Sequence, residues 1–244
     1  MSVEAARIAM WSGPRNISTA MMRSFGARPD TAVVDEPFYA AYLAHTGLDH
    51  PMTAEVLASQ PHDWREVVAT LLGPVPDGKP LYYQKHMTHH MLPHFGRDWL
   101  GRVRNAFLIR SPGAVLASYV RKRASVSLGD IGIVQQRELF DREADRLGAA
   151  PPVVDAADIL GHPEPVLARL CAALGIEYTA AMLSWPPGRR STDGVWAPAW
   201  YATVERSTGF ATTPPEPATL TPELQRVADA ALPYYESMAA HRLR

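Results

Sequence analysis

Cysteine is almost absent. Cys171 is the only one in 244 residues, so no intrachain disulfide framework can hold this chain together. It stands within PVLARLCAALGI, an apolar helical pattern that predicts a buried packing role. Long apolar runs are missing too: no stretch reaches the ~18 residues a membrane-crossing helix needs. The opening MSVEAARIAMW has no basic region leading into an apolar one, the mark of a secretory signal. Neither sign of charge is in excess, since 24 basic and 25 acidic residues leave a formal net charge of −1. That excludes the broad basic field behind nonspecific nucleic-acid or membrane-surface binding, so any anion site has to be local. The expectation is a cytoplasmic protein with no membrane span and no nucleic-acid partner.

What is present suits one sizeable core. Hydrophobic residues make up 47% and charged residues 20%, and the length fits a single domain over 1–244. Short apolar runs alternate with helical patterns. RIAMW leads into a helix from about Ser18 to Phe25, and TAVVDEP leads into FYAAYLAH. LYYQKHM precedes THHMLPHF, NAFLIR precedes SPGAVLASYVRKRA, and PPVVDAADIL precedes PEPVLARLCAALG. Continuous apolar strands between helices predict a three-layer α/β/α fold around a mainly parallel sheet of about five strands. Ligands of such sheets bind at the carboxyl ends of the strands, which directs attention to the residues just after each strand. A polar helix is expected from about Leu128 to Gly148, and a closing helix behind Thr221 as N-cap with Pro222 at its first position. Between them, about 184–220 is loop-rich, with Trp196, Trp200 and Tyr201 to tie it down, and is expected to cap the active site.

The first strand runs out into Gly13, Pro14, Arg15, Asn16, Ile17, Ser18 and Thr19. A Walker loop needs Gly, four residues, then Gly-Lys-Ser/Thr, and here both the second glycine and the lysine are missing. The cation that would neutralise the β- and γ-phosphates of a nucleoside triphosphate is therefore lacking. The Arg15 fork, the Ser18 and Thr19 hydroxyls and the helix N-terminal N–H groups still suit an anion. Taken alone, the loop reads equally well as a plain Ser/Thr cap beside an exposed arginine. At the end of the fourth apolar run stands Arg110, followed by Ser111 as N-cap and Pro112 at the first helical position. Ser118 lies two turns into that helix, so Arg110 and Ser118 can converge on one phosphate from two sides.

Three segments resemble the PAPS-dependent sulfotransferases. PRNISTAMMRSF is similar to their 5′-phosphosulfate loop, where Pro-Lys/Arg-Ser-Gly-Thr-Thr opens the first helix. FLIRSPGAVLASY resembles their 3′-phosphate motif, an apolar strand, Arg, x-Pro, and Ser eight residues on. VVDAADILGHPEPVLARLCAALGI is similar to the segment in which a strand and an acidic-Leu turn precede Pro-Glu … Leu … Leu-Gly. The match departs at Ile17, which stands where glycine is usual. If that position needs φ > 0, isoleucine is strained there, and the expectation is a loop on a different path.

The resemblance implies a P-loop NTPase-like fold of the bacterial sulfotransferase type. It implies PAPS as donor co-substrate, no metal, and a small-molecule acceptor carrying a hydroxyl or amine. Residues Gly13 to Thr19 then hold the phosphosulfate, with Arg15 as the cation on the bridging oxygen, while Arg110 and Ser118 take the 3′-phosphate. Two bases stay open. Glu36 sits in VVDEPFYAAYL, which resembles the family's Glu-Pro-Phe/Leu element, and partial burial would lift its pKa toward that of a base. His86 in YYQKHMTHHM is similar to the Lys-Thr-His element, with the lysine displaced to Lys85, where it would assist at the sulfonate. Phe38, Tyr39 and Tyr42 follow Glu36 and could line an acceptor pocket. Arg189 and Arg190 in GRRSTDG correspond to a late Arg-Lys-Gly loop over the 3′-phosphate, with a solvated turn as the alternative. His86, His89, His90 and His94 have suggestive spacing for a metal, but no His-Glu-x-x-His or cysteine pair completes a site, and Pro93 disturbs the helix. Two further readings stay open: a P-loop kinase or nucleotide hydrolase with Asp35 as its magnesium-binding acid, and a non-catalytic nucleotide-binding protein on the same fold.

Overall fold

Side chains along a strand point alternately to opposite faces, so a run that is apolar at every position must be covered on both. The computed structural model, which describes residues 5–119, 126–211 and 220–243, shows this arrangement. Its strands are β1 (Ala6–Ser12), β2 (Thr31–Asp35), β3 (Leu81–Met87), β4 (Arg104–Ile109) and β5 (Val153–Asp155). They form one sheet in the order β2-β3-β1-β4-β5, with every neighbouring pair parallel. The helices are α1 (Ser18–Gly26), α2 (Tyr39–Thr46), α3 (Thr53–Ser59), α4 (Trp64–Leu72) and α5 (Pro112–Tyr119). They continue as α6 (Ile133–Leu147), α7 (Ala156–Gly161), α8 (Pro163–Ala173), α9 (Ala197–Trp200) and α10 (Pro222–Ala239).

Ala9, Trp11, Phe107 and Ile109 face one layer, where Leu71 of α4, Leu116 of α5, Phe140 of α6 and Ala231 of α10 meet them. Ile8, Met10, Ala106 and Leu108 face the other, against Met21 and Phe25 of α1 and Leu167 and Leu170 of α8. The expected three-layer α/β/α fold is therefore present, and its sheet is parallel throughout. Cys171 is buried in the second layer. A smaller cluster of Tyr39, Leu43, Val56, Trp196 and Tyr201 joins α2 and α3 to the C-terminal segment. Among the described residues, no helix is long and apolar enough to cross a membrane.

Several elements differ from expectation. THHMLPHF makes only one 3₁₀ turn, Thr88–His90, before an irregular stretch. Pro93 disfavours helical geometry at the residue before it, and the chain does not recover a helix there. The polar helix starts at Ile133 rather than near Leu128. Asp130 accepts hydrogen bonds from the Ser127 backbone N–H and hydroxyl, 2.8 and 2.6 Å, and holds that stretch in a turn. Helices α3 and α4 lie in a stretch for which no element is expected from the sequence; Asp63 caps α4 by accepting from the Arg65 N–H at 2.8 Å. The final helix begins as expected, with the Thr221 hydroxyl accepting from the Leu224 N–H at 3.3 Å and Pro222 next.

The C-terminal segment is fastened to the body by an ion pair. Arg23 on α1 meets Asp193 with N···O separations of 2.6 and 2.7 Å, and both side chains are buried. Asp193 also accepts from the Arg190 backbone N–H at 2.8 Å. Removing one partner leaves an uncompensated buried charge. Asp193→Ala is expected to lower the unfolding free energy by about 3–5 kcal/mol in urea titrations, and the paired Arg23→Met/Asp193→Leu variant should recover most of that loss.

Candidate active site

The chain leaves β1 through a cramped turn. A Cβ on Gly13 would press into the Ile131 carbonyl oxygen, so only glycine fits. Gly13 accordingly supports the loop from behind and does not line the cavity in front of it. Arg15 and Ile17 both take left-handed backbone, with φ of 62° and 56°. Ile17 therefore takes the positive φ at which isoleucine is strained. A β-branched residue pays roughly 1–2 kcal/mol for that conformation. The Ile17 side chain packs against the layer that holds Met21 and Phe25. Around it, the Asn16 amide donates to the Leu108 carbonyl at 3.2 Å, and Arg110 donates to the Arg15 carbonyl at 2.7 Å.

Arg110 stands one residue past β4, and Ser118 sits on α5. Arg15 donates from Nε to the Ser118 hydroxyl at 3.0 Å, which brings Arg15, Arg110 and Ser118 to one place. Burial pulls the Arg110 pKa down, and the Arg15 charge adds to the shift. Among the described residues no carboxylate forms an ion pair with Arg110. Helix α1 begins beside them with no side-chain cap, so its first N–H groups face the same space as the Ser18 and Thr19 hydroxyls. Like charges crowded at a helix N-terminus make a site for an anion.

The second cluster grows from the pairing of β2 with β3, in which Asp35 is registered against Lys85. The Lys85 ammonium donates to Asp35 Oδ1 at 2.8 Å, Glu36 Oε1 at 2.5 Å and the Tyr201 hydroxyl at 2.8 Å. All three of its hydrogens are thereby used. Tyr201 in turn donates to Asp35 Oδ2 at 2.7 Å and accepts from Trp196 Nε1 at 3.1 Å. The Gly194 N–H completes the Asp35 shell at 3.1 Å. Burial opposes the charge on Lys85, but Asp35 and Glu36 outweigh it and hold its pKa well above the ordinary lysine value. Glu36 is raised: burial disfavours its carboxylate, Lys85 relieves this only in part, and the Asp35 charge adds to the rise. Its backbone is left-handed, φ 39°, held by the bond from its N–H to the Lys85 carbonyl at 2.9 Å.

His86 goes the other way. It is registered against Trp11, and the two rings stack at 4.3 Å with Trp99 at 5.7 Å. Burial drives its pKa down to about 3, and it does not line the cavity. The period of two along β3 is the reason: when Lys85 faces the site, its neighbour faces the core. Arg189 and Arg190 do not line the cavity either. Arg189 is exposed, and the Arg190 guanidinium turns back onto the Pro186 carbonyl, so this stretch is a turn of the C-terminal segment outside the cavity. Phe38 is buried against Trp99 and Tyr42 lies behind the wall, leaving Tyr39 as the lining aromatic of the three. No cluster of metal-ligating side chains exists among the described residues.

Both clusters open into one cavity of about 470 Å³ at the carboxyl ends of the strands. Pro14 to Thr19, Arg110 and Ser118 form one side, and Glu36, Lys85 and Tyr39 are also in the lining. Trp200, Tyr201, Val204 and Phe210 come in from the C-terminal segment. The partnership of Tyr201 with Asp35 spans 166 positions, and no local signal in the sequence points to it.

Comparison with known proteins settles the family. The model of the sulfotransferase domain matches residues 6–242. The chain belongs to the sulfotransferase domain family. It is 34% identical over 233 residues to branched-chain-amino-acid aminotransferase-like protein 2 of Arabidopsis thaliana, covering 95% of this chain and 41% of that protein. It is 35% identical over 232 residues to the plant's protein 1 of that name, again covering 95% and 41%. This sulfotransferase domain thus spans about two fifths of the length of those relatives. Among solved structures it is similar to the sulfotransferase domain of the curacin biosynthetic pathway, with TM-score 0.57, 17% identity and coverage of 94% and 98%. The sulfotransferase domain of the Synechococcus PCC 7002 olefin synthase gives TM-score 0.54, 17% identity and coverage of 93% and 94%. A sulfotransferase from Alicyclobacillus acidocaldarius gives 0.54, 12%, and coverage of 99% and 98%. At these identities the likeness is one of fold.

The ammonium of this sulfotransferase domain has a measurable structural share. Lys85→Met leaves two buried carboxylates without their cation and is expected to cost about 3–5 kcal/mol at pH 7.5. Without Lys85, the Glu36 pKa rises further above its unfolded value. The loss should therefore grow as pH rises through that pKa and shrink on acidification. Urea unfolding of both proteins at pH 5 and pH 7.5 measures the difference.

Proposed function

We propose that this sulfotransferase domain transfers a sulfuryl group from PAPS to a hydroxyl or amine of a small-molecule acceptor, as a single unit whose segment 184–211 caps the site. The observation that carries this reading is the convergence of Arg15, Arg110 and Ser118 in the cavity that also holds Glu36 and Lys85. PAPS, when bound, supplies a sulfur that is already electrophilic and a bisphosphate leaving group. The residues present suit it: two guanidiniums, hydroxyls and the open end of α1 match a ligand with several anionic groups. Arg15, Ser18 and Thr19 take the phosphosulfate end, and Arg110 with Ser118 takes the 3′-phosphate.

Glu36 then accepts the proton of the acceptor at its carboxylate. Its raised pKa makes it a stronger base than an exposed glutamate, and it lies within the cavity. Lys85 fixes the position of Glu36 through the 2.5 Å bond and keeps positive charge beside the transfer path. Asp35 and Tyr201 hold Lys85 in turn. A kinase reading needs a lysine reaching phosphates from the loop, whereas the lysine of this cavity has every donor engaged.

Binding separates these readings. Adenosine 3′,5′-bisphosphate is expected to raise the melting temperature more than ADP does. Arg110→Ala should weaken the bisphosphate about 10- to 100-fold, the worth of a charge-assisted hydrogen bond, and abolish that preference. Equal shifts, or a larger one from ADP with magnesium, would count against the sulfotransferase reading.

The base is tested by pH. Glu36 must be ionised to accept a proton, so the rate should fall as pH drops through a pKa above the ordinary glutamate value. In single-turnover transfer to 4-ethylphenol, Glu36→Gln should slow the chemical step by about 10²–10⁴ and remove that acid limb. An unchanged limb would reassign the base.

A further inference from the structure

One wall of the cavity has no part in holding phosphates. Tyr39, three residues beyond Glu36, lines it together with His50, His89 and His90. His90 lies flat between two tyrosine rings, Tyr39 at 4.6 Å and 16° and Tyr42 at 4.8 Å and 27°. It is 2% exposed, yet it lines the cavity, and its Nδ1 has no hydrogen-bond partner among the described residues. Burial, reinforced by the neighbouring His89 and His50, keeps its ring uncharged. A neutral imidazole offers one donor and one acceptor, the complement of a hydroxyl, which carries both. Buried polar atoms are normally paired, so an unpaired one beside a cavity points to a ligand group.

Charge narrows the class. Among the described residues, the Lys85 ammonium is the one lysine in the lining, and its donors are spent on Asp35, Glu36 and Tyr201. Two carboxylates share that ammonium, and the cavity's other cations, Arg15 and Arg110, belong to the donor's anionic end. Beside Glu36, an acceptor bearing a carboxylate would therefore meet repulsion and no unspent ammonium. Tyr39, Met87, Trp200 and Phe210 supply flat apolar surface. We infer that the acceptor is an uncharged aromatic alcohol with two hydroxyls, one delivered to Glu36 for sulfation and the other read by His90. His90 is in this respect a specificity-determining residue. The inference rests on the sulfotransferase reading of the cavity and extends it.

Three phenols that differ in one group test it: 4-ethylphenol, tyrosol with a second hydroxyl, and 4-hydroxyphenylacetate with a carboxylate. Calorimetric binding is measured on the protein loaded with adenosine 3′,5′-bisphosphate and on the unloaded protein, so that the comparison decides this point whatever the nucleotide result. Tyrosol is expected to bind about tenfold tighter than 4-ethylphenol, one hydrogen bond's worth, and the carboxylate more weakly than both. His90→Phe, which keeps a ring between Tyr39 and Tyr42, should bring the tyrosol/4-ethylphenol ratio to about one. Equal affinity for tyrosol and 4-ethylphenol, a preference for the carboxylate, or no binding of any phenol would overturn the inference. So would a ratio that persists in His90→Phe. If that variant does not fold, the three phenols on the unaltered protein still separate support from refutation, and loss of bisphosphate binding alone would instead count against the donor assignment.

Discussion

A single buried ammonium joins the parts of this molecule that have to act together. Lys85 receives Asp35 from β2, Glu36 from the turn behind it and Tyr201 from the C-terminal segment, all within 2.8 Å. Burying a lysine is costly unless each of its hydrogens is matched and its charge is met. Here both conditions hold, and each partner is itself held, since Asp35 takes the Tyr201 hydroxyl and the Gly194 N–H. The C-terminal segment around Gly194 and Tyr201 therefore cannot lift from the sheet without exposing a charge cluster. Burial disfavours the Glu36 carboxylate, and Lys85, which also serves Asp35, offsets this only in part, so the carboxyl stays more basic than an ordinary glutamate.

Opposite in sign, the anion site is built on strain and on like charges brought together. Arg15, Ile17 and Glu36 all adopt left-handed backbone, and all three line the cavity. Non-glycine residues hold such conformations when their surroundings over-determine them, as the Asn16 and Arg110 bonds to neighbouring backbone do here. Ile17 holds its positive φ while its side chain packs against the layer of Met21 and Phe25. In the proposed function, the energy stored by crowding Arg15 and Arg110 is released when a polyanion is bound, so affinity and selectivity share one origin.

Much of the fold is legible in the chain. The apolar runs at β1, β3 and β4 are buried on both faces, as parallel strands covered by two layers must be, and residues 6–242 match one family model. The anion side of the cavity is also readable, because Arg15, Arg110 and Ser118 sit in local strand–turn–helix motifs whose spacing is visible in the chain. Motif resemblance misplaces His86 for a reason that a strand's alternation contains: Lys85 and His86 cannot both face the site. THHMLPHF lacks the capped, proline-free pattern a helix needs, and α3 and α4 lie in a stretch without strand signals to frame them.

By itself the sequence determined the periodicities, and with them the sheet, the layers and the strand ends where chemistry gathers. It also determined the local phosphate-type motifs, since these depend on neighbours within one or two helical turns. Only the tertiary structure decided which side chains share a charge. Tyr201 reaches Asp35 across 166 positions, and His90 finds its place between two tyrosines through the packing of α2 on the turn after β3. Coulomb energy and burial depend on distance through space, and the order of residues along the chain does not carry that distance.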